Sequence, residues 1–186
     1  SVSRGLGDVY KRQGINWIKI GDVKQGDKYI TSTAEKITMD GAKKSRFVKQ
    51  GDFIFADTSE DLEGCGNCVY NDTTNPIYAG YHTIIYKTRE RDCKYLAYLF
   101  RSNVWRSQIR CRVSGIKVYS ITQGIMSQVN ILLPPMSEQK EISTYLDIKC
   151  SKIDHIVATQ KKKIAYLQEL KQSLITNVVT GKIKVS

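Results

Sequence analysis

Hydrophobic positions along this 186-residue chain follow three rhythms in turn. Up to about residue 86 they come in short runs rich in β-branched and aromatic residues, which predict strands. Ile15-Asn16-Trp17-Ile18-Lys19-Ile20 reads as a strand entering a turn at Gly21-Asp22. Residues 30–44 are polar and turn-rich, with a short helix predicted after Thr33. Phe47-Val48 and then Gly51-Asp52-Phe53-Ile54-Phe55-Ala56 predict a turn into a buried strand, and residues 58–67 a polar loop interrupted by Gly64 and Gly66. Cys68-Val69-Tyr70 and residues 78–86 follow as strands, the second alternating His82, Ile84 and Tyr86 against Tyr81, Thr83 and Ile85.

The period lengthens at Asp92. Leu96, Leu99, Phe100, Val104 and Ile109 fall at steps of three and four, which predicts one amphipathic helix with Asp92 as its N-cap. Gly115 allows a turn, and residues 116–119 form a short strand or an extended loop. Ser120-Ile121-Thr122-Gln123 has the form of a capping box opening a short helix, and residues 129–133 return as a strand. Pro134-Pro135 then fixes a helix-free hinge, because each ring locks its own φ and steers the preceding residue away from the α region.

The third rhythm runs from residue 137 to about residue 179 without Gly or Pro, with Ser137 at the N-cap and Glu138 and Glu141 on the positive end of the helix dipole. Some forty residues span about 60 Å at ~1.5 Å per residue, more than a domain of this size can cover. Leu146, Cys150, Ile153, Val157, Gln160, Ile164 and Leu167 alternate steps of four and three, the seam of a coiled coil. Leu170, Leu174 and Val178 continue the stripe after a one-position shift. Leu146, Ile153, Val157, Ile164 and Leu167 are therefore the candidate pairing residues, and the partner is most simply another helix of the same kind. The fold class is α+β: a β-rich mixed domain over residues 14–136, then one long coiled-coil-type helix and a short tail over residues 137–186. Residues 1–13 have little periodicity and read as a leader apart from the fold.

Charge adds a direction. The chain carries 29 Lys and Arg against 18 Asp and Glu, a net +11 that suits a polyanionic partner. Residues 1–136 hold 20 basic and 13 acidic side chains, and residues 87–117 hold nine and two, so the +7 of one segment equals the +7 of the whole domain. Five cysteines do not make a disulfide framework here; with no apolar run of 18 residues and no signal peptide, they place the chain in the cytoplasm. Cys65-Gly66-Asn67-Cys68 has a zinc-like spacing but no second Cys or His pair at a matching distance, so no metal site is assigned.

Catalytic motifs fail in turn. Asn75-Pro76-Ile77-Tyr78 has one proline where an adenine methyltransferase needs two, and no glycine-rich cofactor loop precedes it. There is no phosphate-binding G-x-x-x-x-G-K-[ST] loop. Asp57, Glu60, Asp61 and Glu63 read as a solvated loop rather than a nuclease cluster, and neither Cys65 nor Cys68 has an identifiable base. The chain reads as non-catalytic, with no cofactor of its own. Recognition fits better. Arg106 and Arg110 share a helix face able to straddle a phosphate row. Arg112 and Lys117 flank a glycine-bearing loop that places Ser114, Lys117 and Tyr119 close together. Lys43, Lys44, Arg46 and Lys49 form a second, smaller basic group suited to phosphate. Ser120 is set aside because capping occupies its hydroxyl.

The junction Leu132-Leu133-Pro134-Pro135-Met136-Ser137-Glu138-Gln139, the long helix and the ending Thr180-Gly181-Lys182-Ile183 resemble one family over about residues 15–185: the DNA-specificity subunits of type I restriction-modification enzymes. Such subunits carry two recognition domains and two long helices, and this chain has room for one of each, a half subunit or a part of a longer one. The resemblance also marks the loop around Lys117 and Tyr119, the pair Thr58-Ser59, and Gly80-Tyr81-His82-Thr83, although His82 reads more readily as an interior histidine. It implies recognition of one half of a split site in double-stranded DNA and helix pairing with a second recognition half. It also implies methyltransferase subunits bringing S-adenosylmethionine and a motor-nuclease subunit using ATP and Mg. The alternative is an interaction protein that binds nucleic acid without sequence preference and oligomerises through its helix.

Overall fold

The structure, a computed structural model, describes residues 15–25, 29–30, 35–37, 43–75, 77–88, 94–115 and 117–184. The predicted leader and the predicted cap Asp92 lie outside them. The chain divides into two compact units, Ser1–Gln139 and Lys140–Ser186.

Among the described residues, two four-stranded sheets and a two-stranded ribbon build the first unit. One sheet has the order β3 (Glu35–Ile37), β1 (Ile15–Ile18), β8 (Ile77–Ala79), β4 (Phe47–Val48), with β1 and β8 parallel and the other pairs antiparallel. The other has the order β2 (Tyr29–Ile30), β7 (Cys68–Asn71), β5 (Phe53–Ala56), β9 (Thr83–Tyr86). The central strands β5 and β7 are buried along their whole length, which is why they read as apolar runs, with polar Asn71 only at the end of β7. Their period of two divides them between two cores. Phe53 and Phe55 face one, with Tyr70, Leu96, Phe100, Trp105 and Ile109; Ile54 and Ala56 face the other, with Ile18, Val48, Val69 and Ile77. In the first core Phe100 lies 5.0 Å from Phe53 and 4.7 Å from Trp105 between ring centroids. Each such pair is worth about 0.5–1.5 kcal/mol beyond area burial.

Several sequence expectations change, each for a local reason. The turn at Gly21-Asp22 is a helix, α1 (Ile20–Gln25), because the Asp22 carboxylate accepts the Lys19 N–H at 2.8 Å and satisfies its first turn. The short helix expected after Thr33 gives way to strand β3, paired with β1. Residues 78–86 are two strands in different sheets, separated by a turn at residues 80–82 in which His82 takes φ +58°. The helix expected from Asp92 is likewise two, α2 (Lys94–Leu99) and α3 (Asn103–Arg110). Ser102 is extended between them, and its Oγ accepts the Trp105 N–H at 3.3 Å, capping a new start.

Thr122, not Ser120, caps α4 (Gln123–Ser127), its Oγ1 accepting the Ile125 N–H at 3.2 Å. Ser120 is still extended, paired with Thr58 in a ladder that a helix start would break. Residues 129–133 are not a strand. Gln108 fills the role of a neighbouring strand there, donating to the Asn130 carbonyl and accepting its N–H, both at 3.0 Å. The long helix α5 (Met136–Val179) starts one residue before Ser137: the Pro135 carbonyl accepts the Gln139 N–H at 3.0 Å, and the Gln139 side chain reaches back to the Pro134 carbonyl at 2.8 Å.

Most of α5 makes up the second unit. It is 44 residues long, about 66 Å at ~1.5 Å per residue, and residues 151–176 are exposed throughout. Its end is closed by Gly181 at φ +72°, whose N–H bonds the Val178 carbonyl, while the Ile183 N–H bonds that of Asn177. No helix among the described residues is long and apolar enough to cross a membrane.

Candidate nucleic-acid interface

Strands β6 (Thr58–Ser59) and β10 (Tyr119–Ser120) are sixty residues apart in sequence and form an antiparallel ladder, with Tyr119 opposite Ser59 and Ser120 opposite Thr58. The loop before β10 folds back tightly. A Cβ on Gly115 would collide with the Val118 carbonyl oxygen and sit 3.1 Å from Tyr119 Cα, so only glycine fits. Lys117 and Val118 are exposed at its tip, Tyr119 is half-buried against the aromatic core, and Ser59 is buried.

Asp57 joins this ribbon to the turn at residues 80–82. Its carbonyl accepts the Ile121 N–H at 2.7 Å, and its own N–H donates to the His82 carbonyl at 3.2 Å. His82 Nδ1 stands 3.6 Å from Asp57 Oδ1. His82 is therefore an exposed turn residue rather than an interior histidine. Arg46 holds the same turn from the other side. Its Nε donates to the Ala79 carbonyl at 2.9 Å, Nη1 to that of Thr83 at 3.2 Å, and Nη2 to the Gly80 carbonyl and to Thr83 Oγ1.

A pair of guanidiniums holds the loop that follows β6. Arg110 donates to the Leu62 carbonyl at 3.0 Å and to the Glu63 carboxylate at 2.7 Å; Arg106 donates to the Glu63 carbonyl at 3.2 Å and to Asn67 Oδ1. Burial, then the neighbouring charges of Arg101 and Arg110, pull the Arg106 pKa below its ordinary value. Cys65 in this loop and Cys68 at the start of β7 belong to the aromatic core. Burial raises both thiols, Cys68 to about 12, so they stand protonated at neutral pH. Among the described residues no group of three or more His, Cys, Asp or Glu side chains is placed to hold a metal ion.

The pattern of the family described as the type I restriction modification DNA specificity domain matches residues 4–174. The chain belongs to that family. It is 24% identical over 177 residues to the MjaVIII specificity subunit of Methanocaldococcus jannaschii, covering 92% of this chain and 40% of that protein. It is 21% identical over 187 residues to the EcoKI specificity subunit of Escherichia coli K12, covering 95% and 40%. In three dimensions it is similar to the HsdS subunit from Thermoanaerobacter tengcongensis, with a TM-score of 0.61 at 17% identity over 86% of this chain and 41% of that one. The chain thus spans about 40% of the length of the curated relatives it matches.

Within this specificity domain, the structure brings some predicted site residues together and separates others. Thr58 and Ser59 meet Tyr119 across one ladder, with Lys117 just before it. Lys43 is exposed, and its N–H bonds the Tyr78 hydroxyl at 3.4 Å, just ahead of the 3-10 turn Lys44–Arg46. Arg46, Arg106 and Arg110 bind the protein's own carbonyls, and exposed Arg112 donates to the Gln108 carbonyl at 2.8 Å. Sequence reasoning missed Asp57 as the link between the two loops and Tyr81 as an outward-facing side chain. Asp57 does adjoin the Thr58-Ser59 pair, but nothing local marks its backbone as shared by two distant segments.

Proposed function

We propose that this chain is a recognition element of a type I restriction-modification specificity subunit, reading one half of a bipartite target in double-stranded DNA. Membership of the DNA specificity family carries the reading, and the ribbon joining Thr58-Ser59 to Tyr119-Ser120, with Lys117 exposed beside it, supports it. Thr58, Lys117 and Tyr119 offer the hydroxyl, cationic and aromatic groups that meet base edges in a groove. Lys43 and Lys44 supply phosphate contacts. No step of bond-making belongs to this chain. Methyltransferase subunits bring S-adenosylmethionine, and a motor-nuclease subunit brings ATP and Mg. The apolar stripe of α5 pairs with the matching helix of a second recognition half, so that helix length sets the gap between the two half-sites. The test is co-expression with a type I methyltransferase subunit, followed by mapping of methylated adenines across the host genome. A gapped motif absent from the methyltransferase-alone control is expected. Its absence, with the complex assembled, sinks the reading.

A further inference from the structure

We infer that the turn carrying Tyr81 and His82 is a second base-reading element beside the residue 117–119 loop, and that Arg46 is its positioning residue. The inference rests on the proposed reading of the site as a DNA half-site reader. Tyr81 is 87% exposed, the highest value among the large hydrophobic side chains of the described residues. An aromatic ring in water is ordinary on a loose loop, but this turn is fixed on every side. Arg46 donates to the Gly80 carbonyl and to the Ala79 and Thr83 carbonyls that flank the turn, and Thr83 Oγ1 donates back to the Gly80 carbonyl at 2.7 Å. The Gly80 N–H bonds the Ile18 carbonyl at 2.9 Å, and a Cβ at Gly80 would lie 2.8 Å from Trp17 Nε1. His82 is the only non-glycine residue at positive φ among the described residues, a conformation that persists only where its surroundings impose it. A rigid backbone holding an unpacked aromatic and an imidazole is the arrangement a contact residue needs, since little freedom remains to be lost on binding.

Its neighbours indicate the ligand. Asp57 links the turn directly to Thr58, so it is continuous with the ribbon. Exposed Lys43 and Lys44 precede Arg46 on the 3-10 turn, providing cations for the phosphates flanking a groove. Tyr81 offers a flat apolar face for a thymine methyl and a hydroxyl for a base edge. The side chain of His82 is 69% exposed with Nδ1 toward Asp57, which leaves Nε2 for a base. Arg46 acts through geometry. Lysine at that position keeps the charge but not a planar fork able to reach separate carbonyls at once.

The experiment uses the full chain assembled with a methyltransferase subunit, and reads methylation at the wild-type motif and at every single-base variant of it. Tyr81→Ala and His82→Gly are compared with wild type; glycine keeps the positive φ and removes the imidazole. Discrimination should fall about tenfold, the loss of one base contact, at one or two positions of a single half-site, with Tm unchanged. Arg46→Lys should relax the same positions. A wild-type motif that Tyr81→Ala and His82→Gly leave intact at every position overturns the inference and spares the proposed function. No wild-type motif at all removes both. If Arg46→Lys lowers Tm and methylation equally at all sites, Arg46 is structural and its positioning role is wrong.

Discussion

At the scale of single residues, buried groups of this domain favour one ionisation state, and that gives stability a pH dependence. Cys68 is the clearest case. Its thiol is enclosed in the aromatic core, and desolvation of the thiolate raises its pKa from an ordinary 9.0 to about 12. The folded state therefore keeps a proton that the unfolded chain releases above pH 9. The stabilisation is complete below that value and is lost as pH rises from about 9 toward 12, by up to about 1.4 kcal/mol per pH unit. Thermal melts of wild type and Cys68→Ala from pH 7.5 to 10.5 test this. The difference in Tm between them should be constant below pH 8.5 and shrink above it. A constant difference over the whole range would mean that Cys68 ionises normally. Arg106 obeys the same rule with the opposite sign: burial disfavours its charged form and lowers its pKa, while the Asn67 side-chain oxygen and the Glu63 carbonyl accept hydrogen bonds from its guanidinium.

Elements were legible wherever their pattern was local. The buried strand at Phe53–Ala56, the strand at Cys68–Asn71 and the long helix follow from apolar runs and from an absence of breakers, and all three are present. Breaks were less legible. A single helix from Asp92 fits the apolar spacing as well as two do, and the capping by Ser102 that ends the ambiguity depends on Phe100 and Trp105 entering one core. The same holds for residues 78–86, whose alternation conceals a turn held by a distant arginine. Of the candidate site, the separate loops could be read from sequence, but the ladder uniting them could not, because pairing over sixty residues leaves no local trace. The long helix makes a prediction of its own. Ile153 and Ile164 are 58% and 55% exposed, so the stripe of the single chain faces water. Burying each such side chain is worth roughly 1.5–3 kcal/mol. Replacing both with Asp should abolish self-association in sedimentation equilibrium, while circular dichroism reports an intact domain. Wild-type chain that stays monomeric at high concentration, with no partner added, would count against pairing between copies.

For the molecule as a whole, the question is which of its charges are available to DNA. The net charge of +11 attracts any polyanion, and residues 87–117 alone hold a surplus of seven. Part of that surplus is engaged within the fold. Arg106 and Arg110 hold the loop after β6 through its own carbonyls, and Arg46 holds the turn at residues 80–82. In the proposed reading these guanidiniums shape the reading surface, whereas Lys43 and Lys44, both exposed, are the cations left to contact phosphate. The two roles separate in the salt dependence of binding. Each phosphate contact releases counterions, so its loss lowers the slope of log K against log salt by about 0.9. Lys43→Ala and Lys44→Ala should each reduce the slope by about that amount with little change in Tm. Arg106→Ala should leave the slope nearly unchanged and instead destabilise the fold by about 1–3 kcal/mol, since it strips a partner from the Asn67 amide and the Glu63 carbonyl. Filter binding of the full chain to duplex DNA between 50 and ~200 mM salt, run beside thermal melts, decides the matter. A full drop in slope for Arg106→Ala with an unchanged Tm would return the cationic helix face to the DNA and show that its contacts to the loop give way on binding.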